Sequence, residues 1–166
     1  MPPETDNLRL QELFQDDQHD REKVYDTAEA LAELKGRDRD RIKRLYVMME
    51  LDEIKTKNDL YYGAVILQHG ENAADFLTAH RMAAIAAILG HRTARWLMAA
   101  SFDRFLMSVG HGQIYGTQFE FNQEDRRYQL KLPVQDAVMV TFEKEFLGIP
   151  PVNERLKALN ERIQAS

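Results

Sequence analysis

The stretch Trp96-Leu97-Met98-Ala99-Ala100-Ser101-Phe102-Asp103-Arg104-Phe105-Leu106-Met107 decides how the chain is read. It is apolar around almost the whole circumference of a helix, and a helix of that kind is buried. Asp103 and Arg104 nevertheless stand side by side within it. Adjacent residues on a helix point about 100° apart, so these two do not simply neutralise each other. Each needs a partner from elsewhere, because an unpaired buried charge is strongly destabilising. A structural ion pair tying helices together and a functional site both satisfy that need.

Outward from this helix, glycine punctuates the chain. Helices are predicted over Asp59–His69, ended by Gly70, over Ala73–Leu89, ended by Gly90, and over Arg92–Val109, ended by Gly110. Glycine just past a helix accepts the left-handed conformation without a Cβ clash. Nearer the N-terminus, Asp6 or Asn7 can cap a first helix. Its stripe Leu10, Leu13, Phe14, Asp17, Arg21 and Val24 follows steps of three and four, and it runs on towards Leu34 and Gly36. A second helix fits Asp38–Leu51. Downstream the texture changes to strands at Ile114–Phe121 and Arg127–Leu132, with a turn at Asn122–Asp125. Asp136 can cap a helix to about Leu147. Pro150-Pro151 breaks the chain, and an amphipathic helix carrying Leu156, Leu159 and Ile163 follows. The expected fold is mainly α, a helical-hairpin domain with a small β-hairpin near the C-terminal third. One domain is expected over residues 1–166, with a helical core about 6–110, the hairpin about 113–132 and C-terminal helices about 136–165. The Ala-rich hairpins show no clean repeat period, so no solenoid is expected.

Composition narrows the function classes. The 166 residues are 44% hydrophobic and 30% charged, ordinary for a globular chain. The net charge of −5 argues against nucleic-acid binding over the whole surface. There is no cysteine, which excludes disulfides, thiolate nucleophiles and zinc–thiolate sites. The N-terminus has neither the basic nor the apolar region of a signal peptide, and no membrane span is expected, so the expected location is cytoplasmic. Between Tyr61 and Phe119 the only Asp, Glu, Lys or Arg residues are Glu71, Asp75, Arg81, Arg92, Arg95, Asp103 and Arg104. This charge-poor middle is the expected core, where polar groups need partners.

The segments Gln68-His69-Gly70, Asp103-Arg104-Phe105 and Gln113-Ile114-Tyr115-Gly116-Thr117-Gln118, with Asp17-Gln18-x-x-Arg21 upstream, resemble a bacterial family known as domain of unknown function 6624. Order and approximate spacing match over nearly the whole chain, and Tyr-Gly-Thr-Gln is the most specific element. The resemblance implies that these positions belong together. It supplies no reaction, substrate or cofactor.

Two functional readings follow. In the first, a small enzyme has a polar pocket between the first helix, the fifth helix and Tyr115–Gln118. His69 is the general acid/base, with Asp103 or Asp17 orienting it. Arg21 and Arg104 hold an anionic group, and Gln113 and Gln118 bind polar substrate atoms. Gln18, Tyr115 and Thr117 complete the ligand-binding set. Hydrolysis or another proton transfer on a polar small molecule is the expected chemistry. Asp17 with Asp103 is also the one carboxylate pair that a glycosidase-like mechanism would use. In the second reading, the same residues form a buried structural network in a non-catalytic binding or protein-interaction module, with a protein partner or a second copy docked on the helical faces. No cofactor, metal, nucleic acid or membrane is expected. His69, His80 and His91 recur at intervals of eleven, but Gly70 and Gly90 interrupt the helix that would align them, and no His-x-x-x-His or His-Glu-x-x-His is present. Lys35–Arg44, with six basic and two acidic residues, reads as a solvated face. Both readings share one geometric expectation, that Asp17, Arg21, His69, Asp103, Arg104, Gln113 and Gln118 meet in space.

Overall fold

A computed structural model describes residues 5–23, 25–135 and 140–164. Its elements run α1 (Leu8–Arg21), α2 (Ala28–Glu50), α3 (Lys57–Leu67), α4 (Ala73–Ile88), α5 (Ala94–Ser108), β1 (Phe119–Asn122), β2 (Arg127–Leu130), α6 (Thr141–Leu147) and α7 (Val152–Gln164). The protein is mainly helical with a small antiparallel hairpin, as expected. Among the described residues no helix is long and apolar enough to cross a membrane.

Short polar side chains start the helices by accepting otherwise unpaired N–H groups. Asn7 accepts from Leu10, Thr27 from Ala30, and Asn72 from Asp75. At α3, Thr56 and Asp59 form a reciprocal capping box. Asp59 also accepts the backbone N–H of Asn7 at 2.7 Å, which pins the start of α1 to the start of α3. The main core gathers Leu10 and Leu13 of α1, Leu45 and Met48 of α2, Ala64–Leu67 of α3, Ala79, Met82 and Ala83 of α4, and Leu97 of α5. Alanines along α4 and Ala99–Ala100 of α5 are buried, and such small side chains permit close helix packing. The C-terminal helices grip the start of α5 through rings: Arg95 lies over Phe146 of α6 and Arg155 of α7 over Trp96. The hairpin pairs Phe119 with Leu130 and Asn122 with Arg127, and Asn160 of α7 bonds both backbone groups of Tyr128.

Two boundaries and one burial assignment differ from expectation. The first helix does not run to Leu34. It ends at Arg21, and α2 begins at Ala28 and passes straight through Gly36. The break is made by the Thr27 cap and by Asp20, which holds the returning chain through Tyr25 and Arg37. Gly36 stops nothing, and a Cβ there would meet open space. Replacing Gly36 by Ala is therefore expected to raise stability by about 0.5–1 kcal/mol. A denaturation midpoint that stays put or falls would contradict this.

The second correction is that β1 starts at Phe119 rather than Ile114. The N–H groups of Ile114, Tyr115 and Thr117 bind the Asp103 carboxylate, and that of Gln118 binds the Gln113 side chain, so none of these four joins the hairpin. Alternation along a strand consequently does not govern Gln113, Tyr115 and Thr117. Third, Lys35–Arg44 is not simply a solvated face, because Asp38 and Arg41 within it are buried. The expected cap at Asp136 and the stripe position Val24 lie outside the described residues.

Candidate functional site

The buried stripe of α1 reads Leu10, Leu13, Asp17, Asp20, so its last turns press carboxylates instead of methyl groups inward. On α2 the buried stripe Leu34, Asp38, Arg41, Ile42, Leu45 supplies the matching charges. Arg41 donates to Asp20 at 2.9 Å and to Asp38 at 2.7 Å. Arg21 donates to Asp38 at 2.6 Å and to Asp17 at 3.2 Å, and Arg37 donates to Asp20 at 2.9 Å. Three aspartates and three arginines thus form one network between α1 and α2, a strong arrangement because buried carboxylates and guanidinium groups satisfy several donors at once.

His69 enters this network from the end of α3. Gly70 follows it and packs against Asp75, where a Cβ would collide with the Asp75 side chain. His69 Nδ1 lies 2.9 Å from Asp17 Oδ1. Asp17 also accepts from Gln18 at 2.9 Å. A carboxylate at Nδ1 fixes the proton there and leaves Nε2 as the acceptor. Among the described residues Nε2 has no hydrogen-bond partner. The His69 side chain, 18% exposed, borders a cleft of about 260 Å³ shared with Gln18, Arg21, Tyr61, Gln68, Thr93 and Trp96.

Burial is the strongest influence on His69 and pushes its pKa below the ordinary histidine value. The Asp17 bond opposes this, while the positive charges of Arg21 and Arg104 add to it. The ring is therefore neutral near pH 7. Burial pushes the Asp17 carboxyl upward, but the bond and charge of His69, with Arg21 and Gln18, outweigh it and hold the group below the usual carboxylate range. At Asp20 burial is likewise outweighed, by Arg37, Arg41 and Lys23, and its pKa falls far below that range. The result is a histidine–aspartate pair at the edge of a cleft, with its acceptor nitrogen open. That arrangement can take up and release a proton.

Asp103 is placed otherwise. One carboxylate oxygen accepts Ile114 N at 2.7 Å and Tyr115 N at 2.9 Å. The other accepts Thr117 N at 3.0 Å and Thr117 Oγ1 at 2.7 Å. Gln113 donates to the carbonyls of Gln118 and Lys131 and accepts Gln118 N at 2.9 Å. Gln118 in turn donates to Ala100 O at 3.1 Å and Thr117 Oγ1 at 2.9 Å. These groups spend their hydrogen bonds shaping the 113–118 loop on α5. Asp103 is thus a loop anchor rather than the orienter of His69, because its acceptor directions are taken by the loop. Gln113, Thr117 and Gln118 are likewise committed to the loop, and Asp17 and Asp103 do not share one hydrogen-bond network. Tyr115 turns towards α6, where burial and then Glu143 raise its pKa, and it lines a separate hollow with Lys144, Gly148 and Val152.

The expected single cluster therefore divides. Asp17, Gln18, Arg21 and His69 meet, Asp103, Gln113, Thr117 and Gln118 meet, and among the described residues Arg104 bonds to neither group: its charge lowers the His69 pKa, and it lines a hollow with Gln118. Sequence reasoning missed Asp20, Asp38 and Arg41, although Leu34, Asp38, Arg41 and Leu45 share one face at helical spacing. The three histidines do not converge. His80 bonds Met98 O at 2.9 Å, and His91 stacks on Tyr61 at 4.1 Å. Among the described residues, ligand atoms of Asp17, Asp38 and His69 approach within 4.8 Å of one another. Arg21 already bridges the two carboxylates there, so a divalent cation would have to displace a guanidinium already bound to them. Comparison of the chain with family models, curated proteins and solved structures finds no match.

Proposed function

We propose that the protein carries out general acid–base chemistry, hydrolysis or a related proton transfer, on a polar small molecule bound beside His69. The observation that carries this reading is the 2.9 Å contact of His69 with buried Asp17, with Nε2 left unpartnered on a ring that borders the cleft. In it His69 moves the proton, Asp17 holds the imidazole, and Gln18 and Arg21 meet polar substrate atoms. The resemblance to the bacterial domain of unknown function 6624 and a cytoplasmic location belong to the same proposal, the first supported by the elements Asp17-Gln18-x-x-Arg21, Gln68-His69-Gly70 and Tyr115-Gly116-Thr117-Gln118.

The test joins spectroscopy to turnover. Long-range proton–nitrogen spectra are expected to show His69 neutral at pH 7 with its proton on Nδ1. Hydrolysis of a panel of 4-nitrophenyl esters is expected to fall by about a hundredfold in His69→Gln. The thermal midpoint of that variant should barely move, because Asp17 keeps Gln18 and Arg21. A protonated Nε2, or equal turnover in the variant, would sink the reading. A second reading, a non-catalytic binding or interaction module, is favoured by the mutual satisfaction of Asp17, Asp20 and Asp38 with Arg21, Arg37 and Arg41. It calls for a large loss of stability in His69→Gln and no turnover in either protein.

A further inference from the structure

Five arginines carry a buried Nε without a hydrogen-bond partner among the described residues: Arg21, Arg41, Arg95, Arg104 and Arg155. Four have their charge answered otherwise. Arg21 and Arg41 are paired with aspartates, and Arg95 and Arg155 lie over Phe146 and Trp96. Among the described residues Arg104 has neither a carboxylate partner nor a ring beneath it. Its charge meets instead the like charge of Arg21, and burial and then that repulsion pull its pKa below the ordinary arginine value. A largely buried cation without a counter-ion is costly to keep. Arg104 also lines a hollow of about 200 Å³ with Phe76, Met107, Ser108, Gln118 and Lys131. Ser108 and the Gln118 amide nitrogen are already donating to the protein, so the free donors there belong to Arg104 and Lys131. Among the described residues no acidic side chain lines this hollow, in a chain whose net charge is −5.

We propose that this hollow is an oxyanion site, in which Arg104 and Lys131 bind the phosphate or carboxylate group of a small molecule. A guanidinium offers a planar fork that fits two oxygens of either group, and the ammonium adds a point charge at the outer edge. The positive charge of Arg104 is one of the influences that lower the His69 pKa, so an anion that neutralises it here would act on His69 electrostatically. The inference deepens the acid–base reading and rests on it only for what the anion is attached to.

The test titrates inorganic phosphate and, separately, acetate into the full chain, with sodium chloride matching ionic strength. The binding anion is expected to raise the thermal midpoint beyond the chloride control and to shift the Arg104 Nε–H resonance. It should also move the His69 titration upward, since it screens a cation that depresses it. Arg104→Met should weaken binding at least tenfold while raising the anion-free midpoint, because an unpaired cation is gone. Arg104→Lys keeps the charge without the fork and should retain a reduced response, which leaves the proposal testable if the Met variant folds poorly. Lys131→Ala should weaken binding a few-fold at an unchanged midpoint. Absence of any response to either anion, or an equal response in wild type and Arg104→Met, overturns the site. His69→Gln should bind the anion normally. Lost turnover with retained binding in that variant supports both readings, and retained binding without turnover in the wild type means that the acid–base reading alone has failed.

Discussion

Asp103→Ala is expected to destabilise the protein by about 3–5 kcal/mol, measured by urea denaturation. The carboxylate is fully buried and accepts from three backbone N–H groups and one hydroxyl. Truncation gives none of these donors a new acceptor, and each orphaned buried donor costs about 1–3 kcal/mol before water or relaxation recovers part of it. The loss comes from the loop's own N–H groups and not from an abandoned arginine, since Asp103 makes no ion pair with Arg104. Asp103→Asn separates the contributions. Its oxygen can still accept from Ile114 and Tyr115, while its amide nitrogen meets the Thr117 N–H donor to donor. It should cost roughly half as much as the alanine variant. A loss below about 1 kcal/mol for Asp103→Ala would mean that the 113–118 loop is not held by this carboxylate.

That anchor also explains why the strand starts at Phe119 although its side-chain pattern begins at Ile114. Ile114, Tyr115 and Thr117 have strand-forming side chains, and their local preference is genuine. What decides their structure is a carboxylate eleven residues upstream that claims their N–H groups, and no local pattern reports it. The helices were legible because their signals are local: glycines after α3, α4 and α5, and a cap at Asp6 or Asn7, which the structure places at Asn7. The break between α1 and α2 was not, because neither glycine nor proline marks Glu22–Thr27, and the buried Asp20 that stabilises it looks in sequence like one more acid among Asp16, Asp17 and Glu22. The candidate site was half legible for the same reason. Asp17, Arg21 and His69 continue apolar stripes, so their inward direction could be read. Which of two inward-facing aspartates meets His69 depends on how α1 packs on α3, and the sequence carried that only as two alternatives. Asp38 and Arg41 were hidden among alternating exposed charges, although their spacing from Leu34 and Leu45 placed them on the buried face.

Arg41→Ala is expected to cost about 3–5 kcal/mol, because it leaves two buried carboxylates short of their shared cation. Arg41 is itself buried and bonds both Asp20 and Asp38, and these bonds outweigh its burial and raise its pKa. Arg37→Ala removes a bond to the same Asp20 but from an exposed side chain, so its effect should be much smaller. The network also sets the response to acid. His69, Asp17 and Asp20 all have folded pKa values below their ordinary ones. Between the folded and unfolded values the unfolded chain binds more protons, so falling pH favours unfolding. The stability each group contributes is complete above its unfolded pKa and is lost as pH falls through its folded pKa. Two stages are therefore expected: an early decline below about pH 6.5 from His69, and a steeper one below about pH 4 from the aspartates. His69→Gln should flatten the first stage and leave the second. Arg41→Ala should shrink the second, because Asp20 and Asp17 lose one of the charges that hold them ionised. Unfolding free energies measured from pH 7 to pH 3 would decide it. A wild-type curve that is flat down to about pH 4 would mean that His69 is not held neutral in the fold, and a second stage unchanged in Arg41→Ala would mean that the guanidinium does not carry the network.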